Sequence, residues 1–196
     1  MQSIARRAWW GIVFSLGLLG CGSAAVDADT AAGRGEVDTD SGEAAAAEPG
    51  IKARIDHYQS KAGMARMEGD AQGALEYYLE AAAVCEQEES ITVACADVYY
   101  ETAGMAYERM EKELAIEYYG KAIDIYLRFK GNARAKAAVA LNAEGVIYRE
   151  MAEKSKARNL FEQALQIYEE TPEEYKNAAN IEKIKQNIRD LEEGYY

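Results

Sequence analysis

The chain has 196 residues, of which 49% are hydrophobic and only 2 are Pro, so it is long enough for one or two small domains with a sizeable core. With 22 basic against 34 acidic residues the formal charge is −12, which argues against nucleic-acid binding, because phosphate contacts need a basic face. One His and 3 Cys exclude a His-rich metal centre and leave little for acid–base catalysis.

At the N-terminus Arg6 and Arg7 precede an apolar run from Ala8 to Leu19, followed by small residues. This is the pattern of a signal peptide, and the run falls short of the roughly 20 residues that a helix needs to cross a bilayer core. Extended to Val26 it becomes a marginal span, and an uncleaved anchor is the competing reading. Leu18-Leu19-Gly20-Cys21 closes the run and resembles the lipobox of bacterial lipoproteins. The resemblance implies a signal peptide over residues 1–20, cleavage before Cys21, and lipidation of Cys21 on its thiol and its new amino terminus. Several acyl chains on one residue give stable anchoring. Gly22 stands where Asp would signal inner-membrane retention, so the resemblance implies a bacterial outer-membrane lipoprotein facing the periplasm.

Residues 22 to 50 hold seven acids, one base and almost nothing large and apolar. Such a segment cannot bury enough surface to offset its ordering entropy, so residues 21–50 are expected to form a lipidated, disordered acidic tether. As a flexible chain it would span on the order of 30 Å.

From Ile51 onward Ala and Leu-type residues recur at helical spacing and all 14 Tyr are found. Three segments align: Ala74, Tyr78 and Ala81; Ala115, Tyr119 and Ala122; Ala157, Phe161 and Ala164. Each is an Ala, an aromatic four residues on, and an Ala three further. Upstream lie Gly63, Gly104 and Gly145, spaced by 41 and 41 residues, while the first Ala of each segment is spaced by 41 and then 42. The unit is therefore a helical hairpin of about 41 residues, present three times. Small residues where two helices cross let the backbones approach, and the aromatic fills the groove beside the crossing.

Gly145, Tyr148, Ala157, Phe161 and Ala164 match the tetratricopeptide repeat, TPR, in type and spacing, and the other units resemble it less completely. The resemblance implies an all-α fold, a right-handed α-solenoid of three TPR-like hairpins plus a C-terminal capping helix. The repeats fall near 51–89, 90–131 and 132–171 within a helical domain over 51–196, and the cap over 172–193. Arg66 stands where the family prefers Tyr. The first two units are one residue shorter between the Gly and the first Ala, so their internal turns are expected to differ in geometry from the third.

Cap chemistry predicts the boundaries. Gly69-Asp70 ends one helix and caps the next, Ser90 caps the third, and Gly131-Asn132 separates the fourth and fifth. Thr171-Pro172-Glu173-Glu174 resembles a capping box that opens the last helix, which carries Ala178, Ile181, Ile184, Ile188 and Leu191 on one face. Seven helices are expected.

No cofactor, no metal and no catalysis are expected: His57 has no Cys or His near it in sequence, and acids alternate with Lys and Arg as on a solvated helical face. With Cys21 lipidated, Cys85 and Cys95 are an even pair on either side of the turn joining the second and third helices. They form either a disulfide or two small buried apolar residues.

In TPR proteins the first helix of each hairpin lines a concave surface that receives a peptide or partner helix. Counting from the Gly of each unit, the resemblance places Ser60, Met64 and Met67, then Glu101, Met105 and Glu108, then Asn142, Val146 and Arg149 on that surface. Its Met residues suit an adaptable apolar groove, or else pack against neighbouring helices. The Lys and Asn set with which some TPR proteins clamp a terminal carboxylate is incomplete: Lys61 is present, but Met64, Val139 and Ala143 occupy other clamp positions. The expected function is a membrane-anchored protein–protein interaction scaffold that holds a partner and assists assembly of an envelope complex. The alternatives are a homo-oligomerising spacer with exposed Tyr-rich faces, and a periplasmic accessory that captures a soluble peptide.

Overall fold

A computed structural model describes residues 50–194. The signal peptide, the lipidation residue Cys21 and all but the last residue of the tether lie outside the described residues. The helices run in the order α1 (Ile51–Glu68), α2 (Ala71–Gln87), α3 (Val93–Glu108), α4 (Lys112–Tyr126), α5 (Asn132–Glu150), α6 (Lys154–Glu170) and α7 (Ala178–Glu193), with a 3-10 turn at Glu173–Tyr175. Helices α1 and α2, α3 and α4, and α5 and α6 pair as hairpins, successive hairpins stack through α2 on α3 and α4 on α5, and α7 covers α6. The fold is an all-α solenoid of three hairpins closed by a capping helix. No described helix is long and apolar enough to cross a membrane.

Alanine makes this stacking close. Ala62, Ala74, Ala81, Ala103, Ala106, Ala115, Ala122, Ala137, Ala157 and Ala164 are all fully buried. A side chain of one carbon lets helix axes approach while losing no rotamer entropy on burial. Tyrosines fill the spaces between: Tyr78, Tyr99, Tyr118, Tyr119, Tyr126 and Tyr168 are buried, and of the described tyrosines only Tyr175 is exposed. The tyrosines invoked for an exposed spacer face mostly pack against the core, with Tyr58, Tyr77, Tyr100, Tyr107 and Tyr148 half-buried.

The three turns inside the hairpins share one geometry. Each has a left-handed residue, Gly69 at φ 81°, Met110 at φ 64° and Ala152 at φ 60°. The following amide reaches back five residues, from Asp70 to the Ala65 carbonyl, from Glu111 to Ala106 and from Glu153 to Tyr148, each at 2.9 Å. This is the Schellman closure, which satisfies carbonyls that the helix end leaves open. The expectation that the third turn differs is therefore corrected. The additional residue of the third unit lies in α5, ahead of an identical turn.

That placement changes the register of the repeats. Counted back from the left-handed residue, the equivalents of Gly145 are Ala62 and Ala103, not Gly63 and Gly104. A Cβ added at Gly145 would lie 2.6 Å from Cε1 of the Phe161 ring, so this glycine does sit at a helix crossing. A Cβ at Gly63 would meet nothing within 4 Å, and one at Gly104 only the Tyr119 hydroxyl at 3.8 Å. These two glycines are not crossing points.

Two cap assignments are also corrected. Asp70 caps α2 as expected, its carboxylate accepting from the Gly73 amide at 2.8 Å. The cap of α3, however, is Thr92, which accepts from the Cys95 amide, while Ser90 lies two residues earlier and its amide closes α2 onto the Cys85 carbonyl at 3.0 Å. Helix α7 starts at Ala178 and not at 172, with Asn177 as its cap. Thr171 cannot open it, since its hydroxyl donates back to the Ile167 carbonyl at 2.7 Å, and Pro172 leads only into the 3-10 turn. Between α2 and α3, Cys85 and Cys95 are buried and bridged by a disulfide, with Cα atoms 5.7 Å apart.

Candidate interaction groove

The first helices of the hairpins, α1, α3 and α5, lie side by side, and counting back from each turn gives the residues that line their common face. The rows are Asp56, Asp97 and Val139; Gln59, Tyr100 and Asn142; Gly63, Gly104 and Val146; Arg66, Tyr107 and Arg149. Gly63 and Gly104 leave two adjacent helices without side chains at one level of this face. A helical glycine costs about 1 kcal/mol relative to alanine, and packing within the chain does not call for either one.

One level away is a pocket of about 320 Å³ lined by Gln59, Asp97, Tyr100, Glu101, Tyr126, Lys136 and Val139. Helices α1, α3 and α5 supply its walls, and the last residue of α4 supplies Tyr126. Lys136 donates to Asp97 Oδ1 at 2.6 Å, and the Tyr126 hydroxyl donates to the same oxygen. The Lys136 ammonium also lies 5.8 Å from the centre of the Tyr126 ring. Burial, with Asp97 beside it, pushes the Tyr126 phenol far above its ordinary range, so it stays a donor. Tyr100 packs edge-on against Tyr119 with ring centres 5.5 Å apart. Glu101 is half-buried, and burial raises its carboxyl above the usual carboxylate range.

The residues assigned to this surface from sequence fall into three groups. Ser60, Met64 and Met67 are exposed on α1, Met67 at 90%. Glu101 lines the pocket, and Glu108 is exposed, 3.6 Å from the guanidinium of Arg66 across the α1–α3 boundary. The others are covered. Met105 is 3% exposed and belongs to the core, because it sits one position round α3 from where the glycine register placed it. Asn142 is buried, accepting at 2.8 Å from the Asn187 side chain of α7. Arg149 donates to Asn187 at 3.0 Å and lies 3.7 Å from Asp190, and Val146 is half-buried. Helix α7 thus occupies the polar groups at the α5 end, while α1 and α3 leave theirs open.

Gln59, Asp97, Tyr100, Tyr126 and Lys136 were missed as lining residues, and Val139 was read only as occupying a clamp position. Aligning the units on Ala74, Ala115 and Ala157 would have put Gln59, Tyr100 and Asn142 in one row. Nothing in the sequence pattern marks Lys136 or Tyr126. Among the described residues no cluster of His, Cys, Asp or Glu side chains is placed to hold a metal ion.

Residues 92–170 match the tetratricopeptide repeat family. The match covers the second and third hairpins. Its fold is similar to that of BtubC (BKLC) from P. vanneervenii, at TM-score 0.67 and 18% identity, over 75% of this chain and 58% of that one. It is also similar to the N-terminal domain of stress-induced protein-1 (STI-1) from C. elegans, at TM-score 0.54 and 14% identity, over 71% of this chain and 98% of that one. At these identities the likeness concerns the TPR fold, and the chain spans little more than half the length of BtubC. No curated protein matches the chain in sequence. A TPR domain is typically a non-catalytic scaffold for protein–protein interaction, and the partner class that follows from the fold is another protein or peptide.

Proposed function

We propose that the protein is a membrane-anchored interaction scaffold of the bacterial envelope, held to the outer membrane by lipid on Cys21 and assisting assembly of an envelope complex. Its TPR groove would hold a partner peptide or helix on the periplasmic side. The observation that carries this reading is the open stretch of groove on α1 and α3, where a half-buried pocket and exposed Met64 and Met67 lie on the face that the fold devotes to partners. Two further features support the setting. Leu18-Leu19-Gly20-Cys21 stands at the end of an apolar segment of signal-peptide length. The Cys85–Cys95 disulfide suits an oxidising compartment such as the periplasm.

Photo-crosslinking in cells tests the groove. A probe at Met67 is expected to give one discrete adduct whose mass identifies the partner, whereas a probe at Glu162 on α6 gives none. Equal silence, or equal labelling from both positions, counts against the groove. Replacing Cys21 by Ala is expected to abolish lipid labelling and processing at this site, and unchanged labelling sinks the anchor.

A further inference from the structure

We propose that the pocket between α1, α3 and α5 receives an arginine side chain of the partner, with Glu101 as its carboxylate acceptor. This rests on the groove being the partner-binding surface and goes beyond it by assigning the chemistry that the partner brings.

The charges in the pocket are unequally matched. Asp97 is compensated twice, by the Lys136 ammonium at 2.6 Å and by the Tyr126 hydroxyl on the same oxygen. Glu101, one turn further along α3, has neither a hydrogen bond nor an ion pair with any described residue. The cations nearest to it are engaged elsewhere, Arg66 with Glu108 at 3.6 Å and Lys136 with Asp97. The lining therefore holds two carboxylates and one ammonium, and the carboxylate left over is Glu101. Desolvation and the nearby carboxylates of Asp97 and Glu108 raise its proton affinity, while Arg66 and Lys136 only partly oppose them. A cation from outside is what this lining lacks.

The remaining walls select among cations. Tyr100 presents an aromatic ring and Val139 an aliphatic surface within the same pocket. A guanidinium can give two parallel hydrogen bonds to a carboxylate and lie over an aromatic ring, while its methylene stem covers apolar wall. An ammonium is a compact, more strongly hydrated charge that gains less from the ring. At about 320 Å³ the pocket is at the small end of ligand sites, the scale of one long side chain. An acidic partner residue would meet net negative charge and is disfavoured.

Random peptide display on the full chain, followed by synthetic peptides measured by fluorescence anisotropy, tests this. Peptides selected by the wild type are expected to share an arginine in a fixed register. Replacing that arginine with citrulline, its neutral isostere, is expected to weaken wild-type binding about 10-fold or more. In Glu101→Gln the same replacement should change binding less than 2-fold, which is the signature of a direct pair. Glu101→Asp, a shorter acid, is the second variant and should fall between the two. Circular dichroism of each variant should match the wild type. Selected peptides with no shared arginine, or an equal citrulline loss in wild type and Glu101→Gln, overturn the assignment and leave the groove standing as a peptide site. A display that enriches nothing above the empty scaffold overturns the groove reading and this inference together.

Discussion

The first and third hairpins close with the same turn and carry the same Ala–aromatic–Ala stripe, but they use their aromatic residue differently. In the third, Phe161 has no hydroxyl to satisfy and is fully buried against the bare backbone of Gly145. In the first, Tyr78 must place a phenol, which meets Arg66, and the crossing residue is Ala62. A polar atom on the ring thus replaces the closest backbone approach with an interaction with Arg66 at the edge of the groove. The contrast extends one position back along the first helix. There the first hairpin has Lys61, its ammonium 5.3 Å from the centre of the Tyr77 ring, and the third has Glu144, desolvated beside Asp124. The third hairpin is a sealed stop under α7, and the first is an open edge.

The largest expected effect concerns how the open end is tied down. Among the described residues the only covalent link between hairpins joins the first to the second, through Cys85 and Cys95, a separation of 10 residues. Closing a loop of that size is worth about 3 kcal/mol in the chain-entropy account. Reduction, or Cys85→Ala with Cys95→Ala, should lower stability in urea by about that much, with fluorescence loss beginning at the first hairpin. An unfolding curve unchanged by reductant would remove the distinction between the two ends.

Next in size is the pair of glycines. Gly145→Ala should cost about 2 kcal/mol, since the new methyl would be forced into the Phe161 ring. Gly63→Ala should do the opposite and stabilise by up to about 1 kcal/mol, because its Cβ enters open space in a helix. Equal effects of the two substitutions in chemical denaturation would mean that the hairpins share one crossing register after all.

The smallest effect is the pH dependence that Glu144 adds in the third hairpin. Burial, with Asp124 nearby, pushes the Glu144 carboxyl up to about 7 from 4.5. Because the folded state holds this proton more tightly than the unfolded one, its contribution is fully favourable below about 4.5 and is lost as pH rises to about 7. Glu144→Gln should therefore flatten stability over that window and raise it at pH 8 by about 1 kcal/mol, after allowance for solvent screening. A pH profile identical to wild type would show Glu144 to be well hydrated in both states.

Much of this architecture is legible in the residues. Helix count, hairpin pairing and the Gly69–Asp70 turn follow from local signals, namely helical spacing of Ala and aromatics, a left-handed glycine and a carboxylate able to accept from the next helix. Ser90 and Thr171 show where local signals compete. Both are good caps in isolation, but the Ser90 amide closes α2 and the Thr171 hydroxyl bonds back into α6. The groove was half legible. Glu101, Ser60 and Met67 could be placed from the repeat, and Met105 could not, since one additional residue in α5 shifts the glycine register without disturbing any turn.

The sequence by itself determined a repeated helical hairpin, its approximate period, its capping end and the acidic character of its surface, because each depends on periodicity or composition over a few neighbouring residues. Tertiary structure alone decided which carboxylates are matched. Lys136 lies 39 residues from Asp97, and Asn187 lies 45 residues from Asn142. No local pattern encodes such pairings, which arise only when the helices stack and bring distant polar side chains together.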